Sequence, residues 1–168
     1  CTFSHNRLDG AHFSYWRKDI NFINCNFNGN GQYYINSIDP FLGYNRQVPT
    51  ELENTHSGIW FDKGNIESNN TSLGLDIQNC YGEDCLVGIH LNNTGGVGVI
   101  NNVKMENNIF YRGTIPSADI NTGACIFMNV NYISNWSVKG NYGNNLPLIK
   151  YKKLPTDGGK NIIFDNSD

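Results

Sequence analysis

The sequence is poor in charge. Only 16% of its 168 residues are Asp, Glu, Lys or Arg, and 12 basic residues stand against 15 acidic ones, a net charge of -3. That excludes a nucleic-acid surface built on bulk positive charge. No apolar run approaches the roughly 18 residues that a membrane-spanning helix needs. Ala, Leu, Glu and Lys are scarce, and no long stretch has the 3.6-residue periodicity of an amphipathic helix. There is no start Met, no basic leader and no apolar signal region, and the chain opens on Cys1-Thr2-Phe3 as if already inside a repeat. The expectation is a piece of a longer protein, expected to insert in no membrane. The five cysteines have no zinc-ligand spacing, because only Cys80 and Cys85 are close and no His stands at a ligand distance in sequence. Scattered acids offer no calcium cage, so neither metal nor cofactor is expected. Free buried thiols are the simplest state of such a set, suiting a protein that folds in a reducing cytoplasm.

Apolar residues, 39% of the chain, are nevertheless enough for a core. The chain is also rich in 18 Gly and 28 Asn. Both tolerate positive φ and mark turns. Between them stand Ile, Val, Phe and Tyr, which favour strands.

One pattern recurs: an aliphatic residue, two variable positions, usually Asn, then often an aromatic. It reads Ile23-Asn24-Cys25-Asn26-Phe27, Ile77-Gln78-Asn79-Cys80-Tyr81 with Cys in the Asn place, Met105-Glu106-Asn107-Asn108-Ile109 and Val138-Lys139-Gly140-Asn141-Tyr142. Weaker copies start at Phe3 and Ile163, so the spacings are 20, 54, 28, 33 and 25 residues. A second strand follows most copies: Gly58-Ile59-Trp60-Phe61, Gly88-Ile89-His90-Leu91, Cys125-Ile126-Phe127-Met128 and Leu148-Ile149-Lys150-Tyr151, with Tyr33-Tyr34-Ile35 as an earlier one. Strand-turn-strand units at this period predict a solenoid whose coils stack about 4.8 Å apart. Equivalent positions then form columns. Ile59/Ile89/Ile126/Ile149 and Ile23/Ile77/Met105/Val138 are the expected inward columns. Asn near a turn is expected to bond the Asn of the next coil.

These repeats and Gly-Ile-x-apolar strands resemble the right-handed parallel β-helix, or pectate-lyase-like, family. The Asn-rich character is most similar to bacteriophage tailspikes and capsule depolymerases. The resemblance implies an all-β, single-stranded solenoid of about six to seven coils over residues 1–168. Residues 36–57 and 113–123 read as inserted loops. It also implies a homotrimer on a virion tail or outside the cell, with a bacterial surface polysaccharide, and no nucleic acid, as partner.

The outward positions of the second strand are Tyr34, Trp60, His90, Phe127 and Lys150. Their rings are expected to be exposed, forming a platform for sugars or an interface between subunits. Asp62 lies two positions beyond Trp60. On the first strand, Asp76 and Glu106 are diagonal neighbours, on adjacent coils and two residues apart, a backbone separation of roughly 8 Å. An inverting glycosidase needs about 6.5–9.5 Å between its carboxyls, so Asp62, Asp76 and Glu106 are the candidate catalytic acids, with Lys104 as a substrate contact. Cross-strand ion pairs, Asp76 with Lys104 and Glu106 with Lys139, are the structural alternative. His5, His12, His56 and His90 have no recognisable Ser or Cys partner, and no phosphate-binding Gly loop is present. The sequence therefore leaves three functions open: polysaccharide hydrolysis, binding without catalysis, and a lyase.

Overall fold

The computed structural model describes residues 1–4, 6, 9–13, 19–30, 57–61, 71–83, 85, 87–92, 99–111, 124–130, 132–144, 148–151, 156–157 and 162–166. Every element among them is a strand, and the chain visits three sheets in rotation. Sheet A holds β1 (Thr2–Ser4), β4 (Asn26–Asn28), β7 (Tyr81–Glu83), β10 (Ile109–Tyr111) and β13 (Tyr142–Asn144). Sheet B holds β2 (Ala11–Phe13), β5 (Ser57–Phe61), β8 (Val87–Asn92), β11 (Ala124–Asn129) and β14 (Ile149–Tyr151). Sheet C holds β3 (Asn21–Ile23), β6 (Thr71–Gln78), β9 (Val99–Glu106), β12 (Tyr132–Lys139) and β15 (Thr156–Asp157), and β16 (Ile162–Asp165) also pairs with β12. All pairings are parallel, as in a parallel β-helix solenoid. Ser57, the last residue of the expected first insertion, begins β5; the rest of that insertion and all of 113–123 lie outside the described residues.

The column Ile59/Ile89/Ile126/Ile149 stands in register as expected, with the first three side chains fully buried. The other expected column needs one correction. Phe22, not Ile23, pairs with Ile77, and Ile77 continues to Met105 and Val138. Phe22 is buried, whereas Ile23 points outward and is 49% exposed. A one-residue slip reverses the face of every strand side chain.

The corners explain the Asn content. Between sheets C and A the chain turns in two residues, and the first is left-handed on four coils: Asn24 (φ 54°), Asn79 (φ 51°), Asn107 (φ 55°) and Gly140 (φ 59°). A second left-handed column bends sheet C at Asp19, Gly74, Asn102 and Asn135. Asn, Asp and Gly are the residues that adopt this region at least cost. The second corner residue points inward and builds a ladder. Asn108 and Asn141 each donate through Nδ2 to a carbonyl of the preceding coil, Ile77 and Met105, both at 2.9 Å. Each accepts through Oδ1 from the preceding coil: Cys80 N–H to Asn108 at 3.0 Å, and Asn108 N–H and Nδ2 to Asn141 at 3.0 and 2.9 Å. Asn166 repeats the pattern against Asn141 and Val138. Shorter rows join Asn6 to Asn30 and Asn92 to Asn129.

Cysteines complete the corner column where Asn is missing. Cys80 Sγ points at Phe22 O at 3.3 Å, the site that an Asn amide fills on later coils. A Cys80→Asn variant is therefore expected to extend the ladder and gain about 1 kcal/mol, one net hydrogen bond. Urea unfolding would measure it, and a lower midpoint would show that the corner cannot hold the larger amide. All five cysteines are free thiols, four of them buried; Cys1 departs from expectation by being exposed.

Candidate functional site

Three outer faces can meet a ligand. On sheet C the register places Asn21, Asp76, Lys104 and Ser137 in one outward row. Gln78, Glu106, Lys139 and Asp165 form the next. Asp76 and Glu106 thus lie on adjacent strands and two residues apart, the diagonal read from the sequence. An open groove of about 350 Å³ runs along this face, lined by Asn21, Asp76, Asn102, Lys104, Asn135 and Ser137.

The two carboxylates differ in surroundings. Asp76 Oδ1 accepts from Gln78 Nε2 at 2.6 Å. The Glu106 side chain is only 9% exposed and meets three partners. Ser137 Oγ donates to Oε1 at 2.5 Å, and Lys104 and Lys139 Nζ lie 3.5 Å from Oε2 and Oε1. Burial pushes this carboxyl up, but the Ser137 hydroxyl and the two ammonium groups together hold it below the ordinary carboxylate range. Glu106 is therefore an anion at neutral pH and is not poised to give a proton. It can accept one or balance positive charge. Of the two ion pairs named from the sequence as the structural alternative, Glu106 with Lys139 forms, whereas Lys104 stands in register with Asp76 but has its ammonium 3.5 Å from Glu106.

A carboxyl with a lowered folded pKa stabilises the fold above its unfolded value, about 4.3, and that contribution fades as pH falls through the folded value. Glu106→Gln should therefore lower the unfolding midpoint at neutral pH. The gap from the parent should close under acid, below the ordinary carboxylate range. A gap that is the same at every pH would rule out the charge as its cause.

On sheet B the expected outward residues Trp60, His90, Phe127 and Lys150 follow one another in register from coil to coil, and His12 precedes Trp60 where the sequence suggested Tyr34. The rings stack, His12 on Trp60 at 5.2 Å and 12°, and Trp60 on His90 at 5.0 Å and 7°; Phe127 meets His90 edge-on at 4.9 Å. The expected exposure is corrected here, because Trp60, His90 and Phe127 are buried. Phe127 packs in a second apolar cluster with Val87 and Ala124, separate from the central core. Tyr34 and Asp62 lie outside the described residues.

Two features escaped the sequence reading. His12, at the open end of the stack, has Nδ1 3.0 Å from Asp9 Oδ2, and the buried Asp9 carboxylate also accepts the Ser57 N–H at 2.7 Å. This pairing engages Nδ1 with the carboxylate and orients the ring. Its signal in the sequence is the Asp9-Gly10-Ala11-His12 spacing. The second feature is on sheet A, where the outward row Asn26, Tyr81, Ile109, Tyr142 carries three large exposed side chains on successive coils. Beside it run Asn28, Glu83, Tyr111 and Asn144, and Tyr81 Oη donates to Glu83 Oε2 at 3.4 Å. The two-residue corner alone separates this row from Gln78, Glu106 and Lys139 on sheet C.

Among the described residues, no three His, Cys, Asp or Glu side chains group to hold a metal, and no helix is long and apolar enough to cross a membrane. Compared with protein-family models, curated proteins and solved structures, the chain matches none.

Proposed function

We propose that this solenoid binds a bacterial surface polysaccharide along the corner between sheets A and C, as part of a tailspike-like protein. In this reading it is a right-handed, pectate-lyase-like β-helix of six to seven coils. It folds reduced and acts outside the cell as a homotrimer on a virion tail. The observation that carries the proposal is the exposed row Tyr81, Ile109 and Tyr142, running beside the charged row of Glu106 and Lys139. Sugar rings present C–H faces that pack on tyrosine and hydroxyls that bond to carboxylates, amides and ammonium groups. A row repeating about every 4.8 Å suits a polymer that itself repeats.

Cleavage would assign Glu106, held ionised, to activate water as the base, and Asp76 to protonate the glycosidic oxygen. Lys104 and Tyr34 would contact the sugar, with Asp62 as a further candidate acid. Binding without catalysis is the second reading. It is favoured by Glu106 having its oxygens already taken up by Ser137, Lys104 and Lys139.

The test measures binding, reducing-end release and absorbance near 235 nm on capsule and O-antigen preparations. Tyr81→Ala/Tyr142→Ala is expected to weaken binding about tenfold or more, the loss of some 1.4 kcal/mol. Unchanged binding would remove the corner from the site. Glu106→Gln is expected to retain binding and cut release by about a hundredfold or more if the chain hydrolyses. Binding with no release by the parent selects the second reading, and release with absorbance selects a lyase.

A further inference from the structure

Cys25 and Cys80 hold the same corner position on neighbouring coils. The register sets Ile23 beside Gln78 before the corner and Asn26 beside Tyr81 after it. Asn24 N–H donates to Gln78 O at 3.0 Å and Tyr81 N–H to Cys25 O at 2.9 Å, so the two corners nest residue on residue. The two α-carbons are therefore about 4.8 Å apart, within the roughly 4.4–6.8 Å that a disulfide spans. Both thiols are buried, and they are in hydrogen-bond contact with each other. Each also points at backbone carbonyls, Cys25 at Ile23 O and Cys80 at Phe22 and Gln78 O. Later coils fill the position with Asn108 and Asn141, which bond amide to amide. Here the side-chain link between coils is thiol to thiol. Cys85 and Cys125 stand in other columns.

We infer that Cys25 and Cys80 are the two halves of a reversible disulfide that staples these coils together in oxidising surroundings. In the closed corner the pair is silent. Burial above all pushes the Cys80 thiol up to about 11, the adjacent Cys25 thiol adds to the rise, and almost no thiolate is left to react. Reaction therefore waits on a local opening that parts the two corners and lets water and an oxidant in. The oxidant is a small disulfide such as oxidised glutathione. The Cys25 thiolate attacks one of its sulfurs, forming a mixed disulfide and releasing one glutathione thiolate. As the coils come back together, Cys80 loses its proton and attacks the Cys25 sulfur, releasing the second. The two thiol protons pass to the two glutathione thiolates. Two protein thiols are oxidised by two electrons, and one glutathione disulfide is reduced to two thiols. The staple joins residues 55 apart in sequence, and a cross-link that closes so long a loop restricts the unfolded chain strongly.

The test incubates the protein with oxidised glutathione, without urea and in urea just below the unfolding transition. Acid then stops exchange, the remaining thiols are alkylated in denaturant, and the peptides are mapped by mass. The expected result is a Cys25–Cys80 linked pair with a loss of about two mass units, formed faster in urea, with Cys85 and Cys125 alkylated. The oxidised protein should unfold at a higher urea midpoint, its folded-to-unfolded ratio raised about thirtyfold or more, and a reductant should reverse the gain. Cys80→Asn, which follows the ladder chemistry of the later coils, should form no link and gain nothing on oxidation. Alkylated Cys25 and Cys80 in both conditions, a persistent glutathione adduct on either, or a link from either to another cysteine would each overturn the assignment. So would a Cys25–Cys80 link that leaves the midpoint unchanged, or a gain that persists in Cys80→Asn. Equal rates with and without urea would overturn the opening step.

Discussion

Asn108→Leu is expected to remove about 2–6 kcal/mol of stability, because it strands two buried backbone groups at about 1–3 kcal/mol each. Asn108 is fully buried. Its Oδ1 is the acceptor for Cys80 N–H and its Nδ2 the donor to Ile77 O, and leucine supplies neither. Asn141 Oδ1 would also lose its Nδ2 partner on the preceding coil. A domain's whole stability is about 5–15 kcal/mol, so the loss would take a large share of it. Urea unfolding followed by circular dichroism would show it as a lower midpoint at unchanged slope. A loss well under 1 kcal/mol would mean that water reaches the corner and replaces the amide.

Phe110→Ala should cost about 3–5 kcal/mol, the range for truncating a buried aromatic. The inward column of sheet A places Phe110 between two glycines: Phe3, Phe27, Gly82, Phe110 and Gly143. Phe3 stacks on Phe27 at 5.0 Å and 5°. The Phe110 ring fills the space that Gly82 and Gly88 leave, so a Cβ on Gly82 would stand 2.5 Å from Phe110 Cδ1. Gly82→Ala alone should therefore overpack, at about 1–3 kcal/mol. Combined with Phe110→Leu it should cost less than the two single changes added, since neighbours that share a space are not additive. Strict additivity in a double-mutant cycle would show that ring and glycine do not share that volume.

Strand columns were legible wherever both alternation and Gly-Ile punctuation marked the register, as at Ile59, Ile89 and Ile126. The first motif copy misled because Ile23-Asn24-Cys25-Asn26-Phe27 offers two asparagines. The true corner residue is Cys25, standing where Asn108 and Asn141 stand later. Setting the copy on Asn26 made Ile23 inward and treated Phe27 as the counterpart of Tyr81 and Tyr142. Phe27 in fact faces the core from one position further on, which concealed the exposed tyrosine row. The diagonal of Asp76 and Glu106 followed from register alone. The convergence of Ser137, Lys104 and Lys139 on one carboxylate did not, since it depends on rotamers. Nor could strand alternation report that Trp60, His90 and Phe127 are covered, because it gives a side chain's direction and not what lies above it.

Ladder partners on the later coils are close in sequence: 28 residues separate Cys80 from Asn108, 33 separate Asn108 from Asn141 and 25 separate Asn141 from Asn166. Joining the second coil to the third, fourth and fifth thus closes loops of similar modest length. The junction below is different, with 58 residues between Phe22 and Cys80 and between Phe27 and Cys85. Doubling a loop adds about 0.6 kcal/mol of closure entropy. Contacts with shorter loops form sooner. The coils from residue 71 onward are then the first to assemble, and the segment of β1 to β4, joined within itself across only 24 residues, docks on them last and opens first. Amide exchange should rank them in that order, with Phe22 and Phe27 losing protection before Ile89 and Met105.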